Sequence, residues 1–152
     1  MSVPMASSPP ANGGLRTTFW VLQILLAVVF GASGILKLSA PIEELGKMLP
    51  WVHDAPELMV RFIGIAELIG AVGLILPAAT RISPILTPFA SLSLTVVMTL
   101  AVLFHLTRKE FSAVPLPLVL GVLSGLVTWG RLQPAKIHSR RRERREAMLH
   151  NS

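Results

Sequence analysis

The sequence predicts an all-α protein: a transmembrane four-helix bundle with a short interfacial helix after its first span. Three observations predict it. Of 152 residues, 52% are hydrophobic and 14% are charged, whereas soluble domains carry about 25% charged residues. The apolar residues fall into four runs, each near the roughly 20 residues that cross a bilayer as a helix. Cysteine is absent, which excludes disulfides, thiolate catalysis and cysteine-held zinc or iron–sulfur clusters.

Residues 1–16 are rich in Ser, Pro, Ala, Asn and Gly, a composition too poor in apolar side chains to order itself, so a disordered lead is expected. It lacks the basic segment of a secretory signal, so the first span is read as retained. The membrane domain follows over residues 17–131. Span one covers about 19–38 and is interrupted by Gln23, Ser33 and two glycines. In the connection after it, Pro41 suits a first helical position, with Glu43 and Glu44 at the positive helix start. Ile42, Leu45 and Leu49 share one face, which suggests a short interfacial helix closed by Pro50, with Trp51 at headgroup depth. A plain covering helix in the connection fits the same spacing.

Span two, about 58–77, carries Arg61 near its start and Glu67 near its middle. Span three, about 84–106, places Pro84 and Pro88 where a first turn or an early kink accommodates them, and ends near His105. Span four, about 114–130, holds Gly121 and Gly125 at GxxxG spacing, a helix-packing signal. Residues 132–152 form a basic tail with Arg140, Arg141, Arg142, Arg144 and Arg145. Basic segments resist translocation, so the tail is expected in the cytoplasm, and four spans put the N-terminus there too. Arg108 and Lys109 in the third loop run against that rule. The localisation read from this is a multi-pass protein of the plasma membrane, with anionic-lipid contact by the tail arginines as one use of their charge. The net charge of +6 is thereby explained without nucleic acid.

Ionisable groups inside a span cost about 2.5–3.5 kcal/mol each on insertion scales, so they face the bundle and mark function by default. At 3.6 residues per turn, Glu67 shares a face with Ile63, Gly64, Gly70, Ala71 and Leu74, of which the glycines and the alanine admit a neighbouring helix. Gln23, Ser33, Gly34 and Lys37 align on span one; Ser91, Met98, Ala101 and His105 align on span three. Up-and-down connectivity puts Lys37, Arg61 and His105 in one leaflet, with Glu67 roughly 9 Å deeper than Arg61. Lys37, Glu67 and His105 are therefore expected to form one polar pocket, with Arg61 as a contributor. Gly34, Gly64, Gly70, Ala71, Gly121 and Gly125 are the expected packing positions. Plainer roles fit the same residues: snorkelling for Lys37, a pairing of Arg61 with Asp54 or Glu57, interfacial hydrogen bonding for His105, and a helix-to-helix clasp for Glu67.

A haem held by two histidines would need two within the spans, and only His105 qualifies. No nucleotide-binding fingerprint is present. No metal site is expected.

The stretch from Phe30 to Leu38, FGASGILKL, followed by Gly64 to Pro77, GIAELIGAVGLILP, resembles the DoxX-like family. Ala101 to His105 and Arg131 also resemble its pattern, so the likeness covers about residues 19–131. The resemblance implies a four-span bundle with Lys37, Glu67 and His105 at positions the family tends to fill with polar residues. It also implies association of some members with quinone-linked sulfur oxidation or with resistance to quinones and oxidative stress, and of others with receptor assembly.

Two functions stand open on these readings. One is an accessory or membrane subunit of a quinone-linked redox or oxidative-stress system, with Glu67 relaying a proton, Lys37 or His105 bonding a quinone-like oxygen, and electrons coming from a redox partner protein. The other is a non-catalytic scaffold or assembly factor acting through helix contacts, alone or as a homo-oligomer. An autonomous enzyme is not expected; the cofactor is unassigned, with quinone the one considered.

Overall fold

The computed structural model describes residues 13–132, and Met148 beyond them. Every regular element among the described residues is helical: α1 Gly13–Ser39, α2 Ile42–Met48, α3 Glu57–Thr80, α4 Leu86–Thr107 and α5 Pro115–Leu132. Two 3₁₀ turns, Pro50–Asp54 and Phe111–Ala113, complete the connections. α1, α3, α4 and α5 form the expected four-helix bundle, and the segments containing them are long and apolar enough to cross a membrane.

The packing inverts the arrangement of a soluble protein. Val28, Phe62, Ile69, Phe89, Leu100 and Val122 are among many large apolar side chains left more than half exposed. Gln23, Lys37, Glu67, Ser91, His105 and Arg131 are buried. A continuous apolar exterior of this extent is stable only against hydrocarbon. The protein is thus a multi-pass membrane protein whose outer face contacts lipid.

Without a hydrophobic drive between helices in lipid, close backbone approach and internal hydrogen bonds hold the bundle together. α1 and α3 make the tightest pair. A Cβ on Gly34 would lie 2.7 Å from the carbonyl oxygen of Gly64, and one on Gly64 would lie 2.9 Å from Lys37 Cβ. Gly70 receives Leu94 of α4, and Gly121 of α5 faces Met98 of α4. An apolar core of Phe19, Leu26, Phe30, Leu74, Leu94 and Val127 fills the space between the four helices.

Several boundaries differ from the sequence reading. α1 begins at Gly13, inside the expected lead, and in its first turn the Thr17 and Thr18 hydroxyls bond back to the Gly13 and Gly14 carbonyls. α3 runs past Pro77 to Thr80. Proline removes one intrahelical donor yet leaves its own carbonyl free, and that carbonyl accepts the N–H of Arg81, whose φ of 58° closes the helix in the left-handed conformation. Pro41 is the N-cap of α2 rather than its first helical residue. Leu45 of α2 is fully buried against Val52 and Val60, with Ile42 and Leu49 packed beside them. The face read as interfacial therefore docks on protein, as a covering helix does. The tail arginines Arg140, Arg141, Arg142, Arg144 and Arg145, and residues 1–12 of the lead, lie outside the described residues.

Candidate functional site

Lys37 enters from the last turn of α1 and Glu67 from the middle of α3. The glycines that bring these helices together leave their own positions empty, and the long Lys37 side chain occupies the seam beside Gly64. Its Nζ donates to both Glu67 oxygens, at 2.9 and 2.8 Å, and to Ser33 Oγ at 2.5 Å. An ammonium has three hydrogens, so all three are committed. Lys37 is 6% exposed and Glu67 3%. The result is a desolvated ion pair with its cation fully bonded, set in an apolar helix seam.

Arg61 lies one and a half turns before Glu67 and caps this seam. Its Nη1 donates to the carbonyls of Lys37 (2.5 Å) and Ala40 (2.9 Å), satisfying acceptors at the end of α1, while Nε and Nη2 hold Glu57. The pairing with Glu57 is one that helical spacing anticipates. The backbone contact was not legible from sequence, because it depends on where α1 ends.

His105 stands apart from the Lys37–Glu67 pair. Its Nδ1 lies 2.7 Å from Glu110 Oε2, and Glu110 Oε1 accepts from Arg108 Nε at 2.7 Å. Arg108 Nη2 then reaches Asp54 in the first 3₁₀ turn. Bonds from His105 first and Arg108 second hold the Glu110 carboxyl below the usual carboxylate range, while Glu110 and Asp54 push the Arg108 guanidinium further up. No hydrogen bond or ion pair joins His105 to Lys37 or Glu67 among the described residues. Two polar clusters therefore occupy the end of the bundle where one was expected. Chain direction places residues at a common end, but only the local turn decides their partners: Lys109, at φ 60°, closes α4 in the left-handed conformation and folds Glu110 back under His105. Glu110, Arg108 and Asp54 were missed as partners of His105. The signal was the Arg108-Lys109-Glu110 triplet, which begins three residues after it.

At the opposite end, Gln23 bridges three helices. Its amide donates to the Leu74 carbonyl of α3, and its carbonyl accepts from Arg131 Nε of α5 at 2.5 Å. Arg131 also lies 5.2 Å from the Trp20 ring centre, and Phe19 fills the space beside Gly130. Ser91 and Thr128 join α4 to α5 through a 2.8 Å hydroxyl bond. The bundle is thus closed by polar ties at one end and carries its ion pair at the other.

Residues 21–127 match the DoxX-like family. The chain belongs to that family. No curated protein and no solved structure matches it. The matched stretch of this DoxX-like protein contains Lys37, Glu67 and His105, together with Gln23, Arg61, Arg108 and Glu110; Arg131 falls just past it.

Proposed function

We propose that this DoxX-like protein is the membrane subunit of a quinone-linked redox or oxidative-stress system, in which the Lys37–Glu67 pair handles the quinone. The buried pair is the observation that carries this reading. Taking two charges out of water costs several kcal/mol per ion, and well-packed apolar residues of similar volume often hold a protein as well or better. The α1–α3 seam already has close glycine packing, so a pair retained there points to chemistry.

Lys37 offers a donor to a quinone carbonyl once one of its present bonds opens. Glu67 then supplies or takes the proton that accompanies quinone reduction or oxidation. Electrons come from a redox partner protein, since the chain has no cysteine to hold an iron–sulfur cluster. The rival scaffold reading drew its support from Gly121 and Gly125. Both face α4 inside the bundle, so that spacing is used within the fold.

Charge supports an orientation. Among the described residues, the end holding the start of α1, the α3–α4 turn and the end of α5 carries Arg16, Arg81 and Arg131 and no acid. The other end carries the acids Glu43, Glu44, Asp54, Glu57 and Glu110 but also the bases Lys47, Arg61, Arg108 and Lys109, so the connections by themselves count against an orientation with both termini in the cytoplasm. That orientation, in a plasma-membrane protein, is supported by the basic run of residues 132–152, since basic segments beside a span resist translocation.

Lipid extraction of the purified protein tests the function. A near-stoichiometric quinone is expected. Its absence, with no saturable uptake of added short-chain quinone, would overturn the reading.

A further inference from the structure

Of the three side chains joined at the ion pair, Lys37 and Glu67 are buried and only Ser33 is half-buried, open to the outside of the bundle. Its hydroxyl is also used unlike the others on α1. In hydrocarbon a helical hydroxyl satisfies itself by bonding back to its own helix, and Thr17, Thr18 and Ser39 each donate to the carbonyl four residues before. Ser33 does not. Its Oγ accepts from Lys37 Nζ, and its hydrogen goes to no acceptor among the described residues. The ammonium behind it makes that O–H a stronger donor, because hydrogen bonds in a chain polarise one another.

Ser33 also lies on the loosely packed side of its helix. α1 packs closely on α3 and loosely on α5. Ser33 stands roughly four turns beyond Phe19 on the same side of α1, and Phe19 is the residue that meets Gly130 of α5. That contact, like the bond of Gln23 with Arg131, holds α1 to α5 at the end where α1 starts. Toward Ser33 no hydrogen bond or ion pair joins the two helices among the described residues. A molecule dissolved in the bilayer can therefore meet the Ser33 hydroxyl from the α1–α5 side while the Lys37–Glu67 bonds stay closed.

We infer that Ser33 is the ligand-contact residue of this site, and that its hydroxyl donates to a carbonyl-type oxygen on a neutral, lipid-soluble molecule arriving between α1 and α5. This rests on the reading of the Lys37–Glu67 pair as a ligand site. The class of ligand follows from the donor and its surroundings. An uncommitted O–H needs an acceptor, and its carrier must be soluble in the hydrocarbon that Ser33 faces. Lys37 already has Glu67 as its counter-charge, so the site as a whole is neutral and desolvating an anion there would go uncompensated. An uncharged oxygen with lone pairs fits. Bound in this way, the ligand oxygen sits one hydrogen bond from the Lys37 ammonium before any bond of the ion pair opens.

The test is infrared spectroscopy of the full chain in detergent with two probes, a short-chain benzoquinone and an alkyl methyl ketone of similar length, each followed by saturable binding and by its carbonyl stretch. A carbonyl that accepts a hydrogen bond absorbs at lower frequency than one in the detergent phase, so the bound probe should show a lowered band. Ser33→Ala should return the band to its detergent position and weaken binding about tenfold, the worth of one hydrogen bond in a buried site. Ser33→Thr keeps the hydroxyl and should restore both. Ser33→Cys, a weaker donor of nearly the same size, should fall between and serves as a second variant. A merely structural Ser33 would move the melting temperature and leave the band in place. If the quinone binds and its band is the same in wild type and in Ser33→Ala, the role of Ser33 is overturned and the function above stands. If the ketone binds through Ser33 and the quinone does not bind, the role stands and the quinone function falls; if neither probe binds, both fall.

Discussion

Glu67 shows how a single residue can be legible in type and still ambiguous in role. A carboxyl group in the middle of an apolar run must find a proton or a cation, and the small residues on its face point it inward. Which cation it meets follows from α1 and α3 crossing at Gly34 and Gly64, so that Lys37 Nζ arrives 2.8 Å from Oε2. Removing one member should strand the other. Lys37→Met and Glu67→Leu alone are each expected to cost about 3–5 kcal/mol in thermal unfolding in detergent, whereas the double substitution should recover most of it. Additive losses in the double variant would show that the two side chains do not act as a pair.

At the scale of elements, the α1–α3 seam depends on backbone approach rather than on side-chain fit. Gly34 has no room for a methyl group, since the Gly64 carbonyl stands 2.7 Å from where its Cβ would be, while Gly31 meets Ala71 at an ordinary 3.7 Å. Gly34→Ala should therefore destabilise by about 1–3 kcal/mol, and Gly31→Ala should be close to neutral. Equal effects would mean that the two positions pack alike. The connections behave differently, because charge ties them. The network from His105 through Glu110 and Arg108 to Asp54 fastens the α4–α5 connection to the 3₁₀ turn before α3. The Glu110 carboxyl lies below the usual carboxylate range in the folded protein, so its contribution is present above the unfolded value and lost as pH falls through the folded one. The wild-type melting temperature should fall over that acid window more steeply than that of Glu110→Gln. Parallel curves would dissociate Glu110 from the connection.

Taken as a whole molecule, the four spans and their inward faces could be read from hydropathy and periodicity, since Gly64, Glu67, Gly70, Ala71 and Leu74 share a helical face in the sequence and are buried together in the bundle. Element ends were less legible. The extension of α3 through Pro77 and the 3₁₀ turn at Pro50 depend on local hydrogen bonds that composition does not reveal. The site was legible in part: Lys37 and Glu67 could be placed at one end by chain direction, but the separation of His105 onto Glu110 follows from a left-handed turn at Lys109, a conformation with no glycine to announce it. Topology can be checked cleanly because the chain has no native cysteine. Cysteines at Ser39 and Ser112 are expected to react with an impermeant reagent from outside the cell, and labelling from the cytoplasmic side alone would reverse the orientation.

The central claim is that the buried Lys37–Glu67 pair serves a quinone rather than the fold, and the double variant Lys37→Met/Glu67→Leu separates the two roles because it keeps the volume and removes the charge. The decisive measurement is the shift in melting temperature that a short-chain quinone produces in wild type and in that variant. The account predicts a saturable upward shift in wild type and none in a variant that melts near the wild-type temperature without ligand. An equal shift in both proteins, or no shift in either, would contradict it.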